Sequence, residues 1–528
     1  MTLSYRFPYR SQTMPVMARN VVASSQPLAA QAGVDMLKRG GNAVDAALAT
    51  AITLSVVEPC SNGIGSDAFC ILWDGKQLHG LNASGRSPAA VSAADFAGMD
   101  AVPLRGWDSV TVPGCVSAWS ELSRAFGILP FEQLFEAAID YARNGFQVTP
   151  IVASAWSKAP ETFAEFDDFR VFLPDGRAPR AGELFSNPDQ AATLEIIADS
   201  HGEDFYRGKL AEKMVATANL AGNKLSVNDL GDHSADWVGT LSKDFRDVTV
   251  HEIPPNGQGV AALIALGILE NLGIESCEPD SVDSFHLQIE AMKLAFADLY
   301  RYVADARYLE FDIERLLDPN YLEYRARTVD PKKARYPEYG LPPKAGTVYL
   351  TAADAGGMMV SMIQSNFWGF GSGIVIPGTG ISLQNRGAGF SLIDGHPNQI
   401  AGSKRPFHTI IPAFALKQND PLMSFGVMGG AMQAQGHVQM VLRVLMWGQN
   451  PQTASDAPRW QVLEDQQVAL ESGIDPEVVA GLEARGHKIY RSELNPAFSM
   501  GGAQLIYKSP DGYIAGSDHR KDGCAAGF

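Results

Sequence analysis

The sequence predicts a layered α+β fold, and three observations carry that expectation. Residues 114–335 read as mainly helical, the pattern changes at Thr347 to strands folded about glycine turns, and further strands are expected at 422–427 and 503–514. Helices and strands that each have one apolar side must cover it with a neighbouring layer. A chain of 528 residues, 46% apolar and 19% charged, has the material for a large core.

Taken in order, residues 27–39 place apolar side chains at helical spacing and stop at Gly40-Gly41. Asn42 then caps a second helix with Asp45 in its first turn. The most apolar early stretch, 46–57, is too short to cross a bilayer and reads as a buried helix, so no membrane insertion is expected. Residues 69–81 form a hairpin about Asp74-Gly75. Just before it, Gly63-Ile-Gly-Ser-Asp-Ala68 has the spacing of a dinucleotide fingerprint. Pro59 precedes it and a strand follows, where that fingerprint must open a helix, so a nicotinamide or flavin site is rejected.

Residues 282–301 have the apolar spacing of a long amphipathic helix. The segment 336–346 gathers three prolines and two glycines and is expected to be exposed and irregular. Strand 347–353, the turn Asp354-Ala-Gly-Gly357 and returning strand 358–364 make a hairpin with Thr347 and Ser365 at its open end. Gly371-Ser-Gly373 and Pro377-Gly-Thr-Gly380 read as turns between strands.

A net charge of −17 with no basic run argues against nucleic acid, whose binding needs a concentrated cationic surface. The first ten residues carry charge and proline where a secretory signal needs an apolar run, which points to the cytoplasm. Five cysteines without a C-x-x-C pair fit reduced thiols and no metal site.

The candidate chemistry centres on Thr347. On its own it is an ordinary strand-opening threonine. A cut of the Gly346–Thr347 bond would give one residue a free α-amine beside its own hydroxyl, a general base next to a nucleophile. Gly346 has no Cβ to hinder attack on its carbonyl, and Ser365 faces the hydroxyl across the hairpin. Downstream, Gly429-Gly430 lies between a strand and a helix running from Ala431 towards Leu445, where paired N–H groups can hold an oxyanion.

From about Met17 onwards the chain resembles the gamma-glutamyltranspeptidase family of N-terminal nucleophile hydrolases. The resemblance rests on Gly40-Gly-Asn-Ala-Val-Asp-Ala46, Val112-Pro-Gly114, Pro254-Pro-Asn-Gly-Gln-Gly259, Gly371-Ser-Gly-Ile-Val375, Pro377-Gly-Thr-Gly380, Lys404-Arg-Pro406, Asp456-Ala-Pro-Arg459 and Gly516-Ser-Asp-His-Arg520. It implies a four-layer αββα sandwich made from two chains of one self-cleaved precursor, residues 1–346 and 347–528. It also implies Thr347 as nucleophile, Ser365 as its hydrogen-bond partner, and Gly429 and Gly430 as the oxyanion hole. An α-amine titrating near ~7.7–8 can take the hydroxyl proton at neutral pH, and no metal or cofactor is needed.

The substrate side departs from the transpeptidases that act on glutathione. Where they hold the substrate's α-amino group with a glutamine and an aspartate, this chain has Arg386 and Gly389. A serine pair for the α-carboxylate becomes His408-Thr409, and a family asparagine becomes Phe367, beside Trp368. A guanidinium fork prefers carboxylate and disfavours a nearby ammonium. Arg386 and Arg86 are the two candidate carboxylate anchors; Arg386 has a surface ion pair as its alternative role, and His408 that of a hydrogen-bonded core histidine.

The expectation is a threonine amidohydrolase for a small carboxylate-bearing amide, resembling the cytoplasmic branch that contains oxamate amidohydrolase, which frees ammonia in purine breakdown. Glutathione hydrolase or transferase activity, a cephalosporin acylase-like activity, and an inactive carboxylate-binding homologue are the alternatives, and self-association is left open.

Overall fold

Two seven-stranded antiparallel sheets lie face to face with helices on both outer sides. This computed structural model describes residues 12–337, 346–491 and 500–528. One sheet runs in the order Val16–Ala18, Gly512–Ser517, Gly502–Ser509, Asp420–Met428, Ala413–Lys417, Val248–Glu252, Leu241–Phe245. The other runs Cys524–Gly527, Val21–Ser24, Gly346–Ala353, Met359–Phe367, Asp67–Trp73, Leu78–Asn82, Asp236–Trp237. Each sheet takes strands from both sides of Thr347, so the segments before and after it are interleaved rather than being separate folding units.

Alternation along the central strands decides what faces what. Val348, Leu350 and Ala352 pack outward with the wholly buried helix Ala43–Val57, while Tyr349 and Ala353 point inward to the other sheet. The two sheets approach closely there: a Cβ on Gly426 would meet the Tyr349 ring at 2.3 Å, and Thr351 Oγ1 lies 2.7 Å from Ser424 Oγ. By the same period of two, Thr347 falls on the inter-sheet face, as does Ser365 on the neighbouring strand.

Most of the expected elements form. Helix Pro27–Lys38 is followed by an Asn42–Asp45 capping box, and Asp45 also receives the Ile128 and Leu129 N–H groups of a distant loop. Gly371, Gly373, Gly378 and Gly380 all have positive φ, as turns require. The helical middle is interrupted by a hairpin, Leu241–Phe245 with Val248–Glu252, that belongs to the first sheet. Each strand is only five residues long, and Arg246 rather than a glycine takes the left-handed turn position at φ 57°. The long helix, Val282–Tyr302, is covered on nearly every side, its Lys293–Glu290 pair included. The expected 503–514 strand folds into two, Gly502–Ser509 and Gly512–Ser517. The proline-rich linker falls mostly outside the described residues. Among those described, no helix is long and apolar enough to cross a membrane.

Candidate active site

A β-bulge at the mouth of the central hairpin sets the site. Gly346 pairs with Phe367 and Val348 with Gln364, so Thr347 alone stands opposite two residues, Ser365 and Asn366. Bulges bend a strand and re-aim its side chains. Here the Thr347 hydroxyl, on a residue only 2% exposed, donates to Ser365 Oγ at 3.3 Å, and the Phe367 N–H donates to the same oxygen at 2.8 Å.

The Gly429-Gly430 turn joins strand Asp420–Met428 to helix Met432–Val441, with φ of 120° and 63°. Both φ values lie in backbone that glycine adopts without strain, and the turn sits at an open helix start, where the first N–H groups have no intrahelical partner. Gln258, fully buried, braces this turn by donating from Nε2 to Gly430 O at 2.8 Å and to Thr409 O. Two helical turns further on, His437 Nδ1 is 2.6 Å from Glu252 Oε1, and burial raises the Glu252 pKa. From the same helix face Gln433 sends Nε2 to within 3.4 Å of Thr347 Oγ1, while its Oε1 accepts the Ile411 N–H at 2.9 Å.

Arg386, 1% exposed, lies on the other flank. Its Nη1 donates to Thr409 Oγ1 at 2.9 Å, and its guanidinium carbon stands 4.6 Å from the centre of the Phe367 ring. Its Nε and Nη2 have no hydrogen-bond partner among the described residues. Burial pulls the Arg386 pKa down to about 9, opposed by the charge of Asp67. Asp67 is itself pushed up to about 7 by burial, against the pull of Arg386 and of the Gly85 and Gly114 N–H groups.

His408 is fully buried and 3.1 Å from Asp67 Oδ2 through Nε2. The Ile410 N–H points at its Nδ1, which makes Nε2 the protonated nitrogen, and burial keeps the ring neutral. Its hydrogen bonds therefore hold Asp67 and the backbone. Arg86 is engaged elsewhere: its guanidinium pairs with Asp305 at 3.1 Å and Asp236 at 3.6 Å, in a cluster shared with Arg405 and Arg307. The structure thus brings Thr347 and Ser365 together, with Gln433 linking them to the helix after Gly429-Gly430, and puts Arg386 and Thr409 beside Phe367.

Residues 29–528 match the Gamma-glutamyltranspeptidase family. The chain belongs to that family. Membership makes it an enzyme of the carbon–nitrogen amide bond, an N-terminal nucleophile hydrolase, and the αββα sandwich is the family architecture. The chain is 35% identical to the Glutathione hydrolase-like YwrD proenzyme of Bacillus subtilis over 97% of its own length and 98% of that protein. It is 34% identical to the Oxamate amidohydrolase proenzyme of Klebsiella pneumoniae, over 97% and 99%. The crystal structure of a cephalosporin acylase from Bacillus halodurans superposes with a TM-score of 0.95 at 45% identity, over 100% of this chain and 99% of that one.

Three residues of this gamma-glutamyltranspeptidase family member escape a sequence reading: Asp67, Gln258 and Gln433. The first two sit inside glycine-rich motifs whose glycines attract attention first. Gln433 lies three residues past the glycine pair, a spacing that faces back along the helix towards its start.

Proposed function

We propose that the chain cuts itself before Thr347 into residues 1–346 and 347–528, and that the product hydrolyses a small amide whose acyl part carries a carboxylate and no α-amino group. Oxamate is the first such substrate. In the uncut chain the Thr347 nitrogen is an amide and cannot serve as a base. Attack of Thr347 Oγ1 on the Gly346 carbonyl carbon, with transfer of the acyl group from nitrogen to oxygen, forms an ester. Water then splits that ester, leaving a Gly346 carboxylate and the Thr347 α-amine. In turnover the amine takes the hydroxyl proton, Oγ1 attacks the substrate amide, and the Gly429 and Gly430 N–H groups receive the oxyanion. The nitrogen leaves protonated as ammonia or an amine, and water hydrolyses the acyl-enzyme.

The observation that carries the substrate class is the Arg386 guanidinium, buried next to Phe367 with two nitrogens unpartnered among the described residues. Such a fork is costly to leave unpaired and is met by a carboxylate, whereas an ammonium beside it is repelled. Thr409 can add its hydroxyl to the same anion.

Ammonia release from oxamate, and from the mono-amides of longer dicarboxylic acids, is to be compared with cleavage of γ-glutamyl-p-nitroanilide. Faster turnover of the amino-free substrates is expected; a preference for the γ-glutamyl compound would sink the reading. The likeness to the cephalosporin acylase supports a second candidate within this class, a longer carboxyacyl chain on a bulkier amine. A dicarboxylate chain-length series separates it from oxamate.

A further inference from the structure

The orientation of the Gln433 carboxamide is fixed by its surroundings. The Ile411 N–H can only donate, so the group it meets at 2.9 Å is the amide oxygen, and the NH2 end must be the one facing Thr347 Oγ1 at 3.4 Å. Gln433 is fully buried, and both ends of its amide are satisfied by these two partners. The helix that carries it is pinned one turn later by His437 and Glu252, and its first turn is braced through Gly430 by Gln258. A neutral group that can only donate towards the nucleophile has two consequences. It prevents the Thr347 proton from pointing that way, directing it to Ser365 in the uncut chain and leaving it free for the amine once the chain is cut. It also stabilises negative charge on the oxygen itself, apart from the oxyanion of the substrate.

We infer that Gln433 is a catalytic residue: its Nε2–H holds the Thr347 oxygen whenever that atom gains or regains electron density. This happens twice per cycle. When the amine removes the hydroxyl proton, electron density gathers on Oγ1 before the C–O bond forms. When water adds to the acyl-enzyme, the ester C–Oγ1 bond breaks, its electron pair goes to Oγ1, and a proton from the attacking water, relayed by the α-amine, neutralises it. The same donor serves the self-cleavage step. The inference rests on Thr347 being the nucleophile. Failure of that premise would show as a Thr347→Ala chain that still matures or turns over, whereas failure of the Gln433 role leaves Thr347→Ala uncut and inactive and Gln433→Met active.

The test compares Gln433→Met, which keeps the volume and removes the donor, with Gln433→Glu, which keeps the acceptor for Ile411. Maturation of each purified precursor is followed on a denaturing gel, and kcat and KM are measured on the matured protein from pH 5 to 8. Gln433→Met is expected to lower kcat by about 10- to 100-fold with KM within about twofold, and to slow maturation similarly. Gln433→Glu is expected to fall as far at pH 8, where its carboxylate accepts rather than donates. Its kcat relative to wild type should rise as the pH drops and the acid form restores a donor. A packing role would not produce that recovery. A folded Gln433→Met with kcat within about threefold of wild type overturns the assignment, as does a Gln433→Glu ratio flat with pH. If Gln433→Met does not fold, the pH profile of Gln433→Glu decides alone, and failure of both variants to fold would mark Gln433 as structural and overturn it too.

Discussion

The Phe367 ring lies 4.6 Å beneath the Arg386 guanidinium, and the backbone that carries this ring is held at φ 78° by an N–H bond to Ser365 Oγ. A bulky residue with positive φ costs about 1–3 kcal/mol and persists only where its surroundings enforce it. A desolvated cation–π contact contributes about 2 kcal/mol, the same order as the strain. One residue therefore links Ser365, the partner of the proposed nucleophile, to the arginine proposed to bind the substrate carboxylate.

From this arrangement follows the behaviour of Arg386→Gln. In the proposed reading the substrate carboxylate meets Arg386 in the ground state and the transition state alike, so its loss removes uniform binding. KM for carboxyacyl amides should rise at least about tenfold while kcat stays within about threefold. Steady-state kinetics on the best substrate of the dicarboxylate series will show it; a loss confined to kcat would contradict the role.

Thr347→Ala should remain one uncut chain on a denaturing gel and have no activity, since it lacks the attacking oxygen for both reactions. Thr347→Ser keeps the oxygen and should mature and turn over, more slowly because the methyl that restricts χ1 is gone. Two fragments from Thr347→Ala would move the cut site elsewhere.

How much of this was legible in the sequence depends on the range of the interaction. The Asn42–Asp45 cap, the hairpin with Thr347 and Ser365 at its mouth, and the Gly429-Gly430 turn before a helix are local, and each could be read from a few consecutive residues. Register was harder. The hairpin placed Thr347 near Ser365, but the bulge opposing it with both Ser365 and Asn366 depends on contacts from other strands and loops. Asp67 meets Gly85, Gly114 and His408, and Gln258 meets Thr409 and Gly430, across separations no periodicity records. Arg86 looked equivalent to Arg386 by residue type; only the positions of Asp305 and Asp236 distinguish them.

Gly429→Ala tests the oxyanion turn. Its φ of 120° is outside what an L side chain adopts comfortably, and an added Cβ would stand 3.0 Å from Gly501 Cα, a tight approach to backbone. The turn would rotate its N–H groups away from the reacting carbonyl. Loss of one such donor lowers kcat by about 100- to 1000-fold. Gly501→Ala, on the opposing strand entrance at φ 74°, should reproduce part of the defect by pressing on Met428 O. Wild-type kcat in Gly429→Ala would remove this pair of glycines from the mechanism.

His233 should give the fold a distinct acid dependence. It is buried against Ser117 Oγ at 3.0 Å and stacked on Tyr206, and burial together with the charges of Arg405, Arg86 and Arg207 lowers its pKa to about 3. The unfolded histidine titrates near ~6.5, so between these values the unfolded chain binds the extra proton. The stability contributed by neutral His233 is thus complete above about pH 6.5 and is withdrawn as the pH falls towards about 3. Asp67 works in the opposite sense, because its folded pKa of about 7 exceeds the ordinary carboxylate value. The wild-type curve mixes these two with other groups whose pKa burial shifts, such as His251 and His487, and the difference between wild type and His233→Gln isolates His233. At about 1.4 kcal/mol per pH unit, that difference should shift by about 3 kcal/mol between pH 7 and pH 4, with wild type losing stability faster. Urea unfolding at half-unit steps of pH measures it, and parallel curves for the two proteins would show that His233 does not titrate with the fold.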